Sequence, residues 1–292
     1  MFRTLHHRPA AVAAALLLAL AGCAAPVTTP RPAEPPLSYP PTVRERMLRI
    51  ALGEWEEWGR LVLTLAPGLA PHQALEDATA PGPESLLANF PRVLAYWRAV
   101  EDGEAQGAVA RNRARYATAA AHPDAPGGAW REPAWSAAFI SYVMLRAGVD
   151  RREFPSSAAH SFYIDGMLAD AAAFPAVAPF VPQDWAAYTP QPGDLVCADR
   201  SRHPIADWRQ RLAETGQFRP MHCDIVVSLT PGFVEAVGGN VADAVTLSRF
   251  PADAAGRLLP RPGNGAIWFA VFENRLGRLP PWNLAAMQWS AR

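Results

Sequence analysis

The sequence predicts an α+β domain in which N-terminal helices are packed on an antiparallel β-sheet. Three observations carry this. Apolar residues recur at three- and four-residue steps over the first half, short β-branched and aromatic runs separated by turn residues fill the second half, and the two textures do not alternate. Over residues 43–62, Leu48, Leu52, Trp55 and Trp58 form one stripe and predict a helix. Residues 67–83 are rich in Pro and Gly and read as loop. Residues 84–119 are again helical, with Leu87, Phe90, Leu94 and Trp97 on one face and Pro91 marking a kink or a boundary. Residues 133–147 carry the strongest helical signal, since Pro133 suits a first turn and Gly148 supplies a stop. A Pro/Ala-rich connection follows, with a helix near 160–173. Strands are expected at 194–198, 222–229, 233–237, 245–250 and 266–272.

A leader precedes this domain. Arg3 and Arg8 are followed by an unbroken apolar run of 12 residues, 10–21, which is too short to span a bilayer needing about 20 and fits a signal-peptide core. Leu20-Ala21-Gly22-Cys23 resembles the lipobox of bacterial lipoproteins. The resemblance implies cleavage after residue 22, lipidation at Cys23 and anchoring in a membrane. With Ala24 next, it favours the outer membrane facing the periplasm. Residues 24–42 hold seven prolines and read as an extended tether. The expected organisation is a signal peptide at 1–22, a lipidated tether at 23–42, one domain at 43–275 (helical part 43–120, core 130–275) and a tail at 276–292.

Composition removes several chemistries. There is no lysine, so Ser-Lys dyads, Schiff bases and a P-loop lysine are excluded. Without Arg3 and Arg8, 25 basic groups face 27 acidic ones, a balance that gives no reason to expect nucleic acid as a partner. A His-dependent mechanism must choose among His72, His122, His160, His203 and His222. Asp199, His203 and His222 are a weak metal alternative, because neither an H-E-x-x-H motif nor a Cys/His cluster accompanies them; no cofactor or metal is expected. Cys197 and Cys223 lie in strand-like segments, as a cross-strand disulfide in an oxidising compartment or as two buried thiols.

Three fragments bear on chemistry: Pro133-Ala-Trp-Ser-Ala-Ala-Phe139 at a helix start, Met221-His-Cys-Asp-Ile-Val-Val227 entering a strand, and Val237-Gly-Gly-Asn-Val-Ala-Asp243 after it. Gln191-Pro-Gly-Asp-Leu-Val196, a turn feeding a strand, lies between the first two. In this order they resemble the papain-like amidase superfamily that includes the NlpC/P60 and CHAP peptidoglycan hydrolases, and more narrowly the DUF2272 family, over roughly residues 96–272. The resemblance implies a papain-like fold acting on peptidoglycan or its stem peptides. It places Ser136 where the superfamily has a cysteine nucleophile, His222 as base and Asn240 as its orienting residue. His160, in a segment similar to one recurring in DUF2272 proteins, is expected to bind substrate or carry a second proton; Trp135 and Asp243 are further substrate-side candidates.

The residues support this independently. Ser136, Ile140, Val143 and Ala147 share a helix stripe, so the hydroxyl lies in the first turn near free N–H groups and the positive end of the helix dipole. Serine there, unlike a thiolate, needs its base to take the proton as attack occurs. No G-x-S-x-G elbow is present. Bland readings stand beside each residue: a helix cap for Ser136, a packed histidine for His222 and for His160, and a Gly-Gly-Asn hairpin turn for Asn240. The function expected is therefore amide hydrolysis in the cell envelope by a Ser/His/Asn site. The alternative is a catalytically inactive module that binds a cell-wall peptide or a protein partner.

Overall fold

The computed structural model describes residues 42–65, 89–101, 106–122, 134–262 and 266–277. The leader, Cys23, most of the tether, the 67–83 loop and most of the tail lie outside the described residues. Those described form a mixed α+β domain with six α-helices and a seven-stranded sheet. The helices are α1 (Thr42–Glu57), α2 (Phe90–Arg98), α3 (Gln106–Ala121), α4 (Ser136–Ala147), α5 (His160–Ala173) and the short α6 (Trp208–Arg211). The strands are β1 (Val62–Thr64), β2 (Phe180–Gln183), β3 (Leu195–Asp199), β4 (Met221–Thr230), β5 (Phe233–Val241), β6 (Ala244–Pro251) and β7 (Ile267–Asn274). Their order across the sheet is β1-β6-β5-β4-β3-β7-β2. No helix among the described residues is long and apolar enough to cross a membrane.

Helix α1 buries Val43, Met47 and Ala51, one residue per turn. It stops earlier than the stripe predicts. Gly59 and Arg60 both take positive φ, and the Arg60 N–H donates back to Trp55 O at 3.0 Å. The chain thereby leaves the helix, and Val62–Thr64 pairs in parallel with β6, the one parallel ladder in an otherwise antiparallel sheet. The sequence predicts no strand here and an antiparallel sheet; β1 departs from both because the helix exit delivers Val62–Thr64 alongside β6 in the parallel sense. Pro91 opens α2, where its missing N–H costs nothing. Helix α4 ends at Gly148 in the left-handed region, with the Gly148 and Val149 N–H groups closing on Leu145 O and Met144 O.

Strand β2 falls within the stretch read as an irregular connection. Pro182 masks it in the sequence, and the structure tolerates that proline because β2 is the last strand of the sheet. The Gly-Gly-Asn segment is also not the hairpin turn. The β5–β6 turn is Ala242-Asp243, both at positive φ between the paired Val241 and Ala244. The glycines sit one step earlier, inside β5.

Two apolar layers flank the sheet. One lies under the helices and includes Trp97, Trp135, Phe139, Ile140, Tyr163 and Phe269; the other includes Val196, Val226, Phe250 and Trp268. In the Pro-Gly-Asp turn, fully buried Asp194 accepts N–H groups of Gln191 (2.7 Å) and Asn274 (2.8 Å) and the Tyr188 hydroxyl (3.1 Å). That carboxylate ties the start of β3 to the end of β7.

Cys197 and Cys223 occupy directly opposed positions of β3 and β4 and are joined by a disulfide. The bridge closes a sequence separation of 26 residues around the 200–220 loop. Replacing both cysteines by alanine is expected to lower stability by about 2–4 kcal/mol, read from the midpoint of urea unfolding. An unchanged midpoint would mean that the strand pairing holds this loop without the bridge.

Candidate active site

Ser136 is the first residue of α4, and it does not cap the helix. The N-cap position belongs to Trp135, whose side chain makes no capping hydrogen bond. The first helical bond runs from Phe139 N–H to Trp135 O, so the N–H groups of Ser136, Ala137 and Ala138 have no acceptor within the helix. The Ser136 hydroxyl instead lies 2.7 Å from Nε2 of His160. His160 opens α5, and its Nδ1 is hydrogen-bonded to the hydroxyl of Tyr163 one turn on.

His222 lies beside this pair, its ring centroid 5.2 Å from that of His160. Its Nε2–H donates to Oδ1 of Asp224 at 3.1 Å. On a strand, residues two apart share a face, so His222 and Asp224 project together, opposite to Cys223 between them. The His222 Nδ1 is buried and has no hydrogen-bond partner among the described residues. Ser136, His160 and His222 are 8%, 4% and 7% exposed, so little of the cluster meets solvent.

Burial, then the neighbouring His222 and Arg200, holds the His160 imidazole well below its ordinary value. His160 is therefore neutral near pH 7. Burial and the charge of Asp224 push the Tyr163 phenol well above its usual range, so that hydroxyl keeps its proton. In the tautomer whose Nδ1–H points at the Tyr163 oxygen, Nε2 of His160 can receive the Ser136 proton.

Two glycines make the convergence possible. A β-carbon on Gly238 would stand 1.8 Å from Asp224 Oδ1 and 3.1 Å from His222 Nε2. One on Gly239 would stand 2.4 Å from Cβ of Phe139 and 2.9 Å from the Trp135 ring. Adjacent residues of β5 thus admit the acid from one side and the start of α4 from the other.

The placement changes several expected roles. The partner of Ser136 is His160, and the residue bonded to His222 is Asp224. Asn240, at positive φ in a bulge of β5, makes no hydrogen bond to His222 among the described residues. Trp135 is fully buried, stacked 5.2 Å from Trp58 and against Tyr96, so it supports the site from beneath and cannot touch a ligand. Asp243 is exposed at the β5–β6 turn. Asp199 is committed to Arg219 at 2.8 Å and to the Ser201 and Ile205 N–H groups, which leaves it no capacity as a metal ligand beside His203. Among the described residues no group of three or more His, Cys, Asp or Glu side chains is arranged to hold a metal ion. Tyr163 and Asp224 are not among the residues expected from the sequence, although helix spacing (160 and 163) and strand spacing (222 and 224) both point to them.

The described residues thus form a mixed α+β protein with a buried Ser–His pair at a helix start and a His–Asp pair from a neighbouring strand. Residues 84–273 match the model of DUF2272, an uncharacterized protein family conserved in bacteria, and the chain belongs to that family. No curated protein and no solved structure matches the chain significantly.

Two outcomes are expected. The unfolded chain protonates His160 near 6.5 while the folded chain keeps it neutral, so this residue costs stability as pH falls through 6.5. Asp170, raised to about 6 by burial and by Glu153, acts in the opposite sense, because the folded state binds its proton first. Comparing His160→Gln with wild type cancels that contribution. In urea unfolding at about pH 7.5 and about pH 5, the variant should lose less stability than wild type on acidification. Equal losses would mean that His160 protonates freely in the fold. Separately, Gly238→Ala should cost about 1–3 kcal/mol through overpacking, read in thermal unfolding beside Gly53→Ala, a glycine with open space around it and no positive φ.

Proposed function

We propose that this protein is a cell-envelope hydrolase of papain-like, NlpC/P60-type architecture that cleaves an amide bond in peptidoglycan, with Ser136 as nucleophile. The single observation carrying the reading is the 2.7 Å contact between the Ser136 hydroxyl and Nε2 of His160 in the uncapped first turn of α4. Attack by Ser136 Oγ on the amide carbon passes its proton to Nε2 of His160. The oxyanion forms beside the N–H groups of the first turn, which have no acceptor within the helix, where the dipole favours negative charge. The imidazolium so made is a strong acid in this buried setting and returns its proton to the leaving amine. His222, oriented by Asp224, keeps Nδ1 for the water that releases the acyl group from Ser136.

The address of the protein belongs to the same proposal. A lipidated Cys23 and a proline-rich tether would hold the domain at the outer membrane, facing the periplasm with peptidoglycan in reach. The Cys197–Cys223 bridge supports an oxidising compartment. A second reading, a non-catalytic module binding a cell-wall peptide or protein, is favoured by the near-complete burial of Ser136 and both histidines.

Incubating the full chain with purified peptidoglycan, and separating released fragments by chromatography, distinguishes them. Ser136→Ala should abolish release, His160→Gln should reduce it by about 10²–10⁴-fold, and His222→Gln should slow it at the deacylation step with an accumulating acyl-enzyme. If wild type is inert while Ser136→Cys cuts, the scaffold is that of a binding protein. If neither releases fragments, the hydrolase reading fails.

A further inference from the structure

Helix α1 carries Ile50, Gly53 and Glu54 three and four residues apart, and α4 carries Tyr142 and Arg146 four apart, so each set lies on one strip of its helix. These five residues line an open hollow of about 350 Å³, a size that suits a small molecule. It is built on the C-terminal half of α4, whereas Ser136 opens that helix.

Gly53 keeps the hollow empty, and nothing in the packing requires a glycine there. Its φ is not positive, so any residue could adopt its backbone. A β-carbon on it would meet no atom within 4 Å among the described residues. Glycine inside a helix weakens that helix. What this missing side chain preserves is space.

The lining carries one charge of each sign. The Glu54 side chain is 13% exposed, and its Oε2 accepts the Tyr96 hydroxyl and lies 3.6 Å from Arg92. Arg92 is shared with Glu57, to which it is hydrogen-bonded. Oε1 of Glu54 accepts only the Tyr142 hydroxyl among the described residues, at 3.3 Å, and has a lone pair for a closer donor. The Arg146 guanidinium lies 5.9 Å from the centre of the Tyr142 ring. It makes no ion pair among the described residues. One ring thus has a carboxylate at its hydroxyl and a guanidinium over its face. A simple cation would be opposed by Arg146 and a simple anion by Glu54. A molecule with both charges a few atoms apart meets both.

We propose that this hollow binds a free α-amino acid with an apolar side chain. Its ammonium sits on Oε1 of Glu54, its carboxylate on the planar fork of Arg146, and its side chain in the space over Gly53 and Ile50. The site is separate from the Ser136 cluster and does not depend on the hydrolase reading.

The test is calorimetric titration of the full chain with L-leucine, with N-acetyl-leucine, which lacks the ammonium, and with leucinamide, which lacks the carboxylate. Leucine should bind roughly tenfold or more tightly than either analogue, the range expected for a charge-assisted pair. Glu54→Gln should erase the preference over N-acetyl-leucine and keep that over leucinamide. Arg146→Gln should do the opposite, and its exposed position lets it decide the matter if Glu54→Gln does not fold. Gly53→Leu should fill the hollow and abolish leucine binding, with a melting temperature no lower than that of wild type. Equal binding of the three ligands by wild type, or no binding of leucine, would overturn the proposal. So would a preference over leucinamide that survives Arg146→Gln, or leucine binding unchanged in Gly53→Leu. Release of peptidoglycan fragments, present or absent, leaves these outcomes as they stand, so the two readings fail separately.

Discussion

The arrangement depends on two missing β-carbons. Gly238 and Gly239 are consecutive on β5, so they face opposite sides of the sheet, and each is approached more closely than any side chain would allow. On one side the Asp224 carboxylate occupies the space and thereby reaches His222. On the other, Phe139 and Trp135 press against the strand and set where α4 begins. Ser136 is positioned because the residues on either side of it, Trp135 and Phe139, are wedged on Gly239 and packed with Tyr96 and Trp58. Ser136 and the His–Asp pair are thus registered to each other through one dipeptide, with no direct bond between them among the described residues.

Around that register the polar groups are sorted by what burial does to their charge. His160 is neutral because desolvation opposes its protonation and two further positive or protonatable groups face it. A histidine held in that state is a modest base and, once protonated, a strong acid. In the amide cleavage proposed above, the difficult step is expulsion of the amine, and this balance would suit it better than a more basic imidazole. Tyr163 can orient His160 without adding charge, and the negative charge nearby is supplied by Asp224, which bears on Tyr163 and His222 alike. In the hydrolase proposed above, two histidines with separate orienting partners would divide acylation and deacylation between them.

Structural polar groups elsewhere are spent differently. Arg219 gathers Asp199, Glu214 and the Ser201 hydroxyl, and it closes the 200–220 loop against the end of β3. Fully buried Arg211 is paired with Asp165 at 2.8 Å, fastening the same loop to α5. With the disulfide between β3 and β4, these pairs hold the segment that leads directly into His222. Removing one partner from such a buried pair would leave an uncompensated charge, which is why the loop is fixed more firmly than its length suggests. The Asp199–His203 spacing that resembles a metal pair is explained by this ionic closure.

Much of the architecture is legible along the chain because helix and strand periodicities are local. The stripe through Ser136, Ile140, Val143 and Ala147, the stop at Gly148, the 160–173 helix and five of the strands all follow from residue spacing. Elements set by partners escape that reading: β1 exists because Val62–Thr64 meets β6, and β2 is a strand because an edge position accepts Pro182. Within the site, sequence singles out Ser136, His160 and His222 by their scarcity and their contexts, and local spacing was enough to add Tyr163 and Asp224. Pairing was another matter. Whether Ser136 meets a histidine 24 or 86 residues away, whether Asn240 or Asp224 orients His222, and which glycine admits which neighbour are decided by how α4, α5 and β4 converge on β5. Sequence determined which chemical groups this protein owns and which faces they occupy. Only the tertiary structure decided who touches whom, since hydrogen bonds act over about 3 Å and no local pattern brings residues that far apart in the chain to that distance.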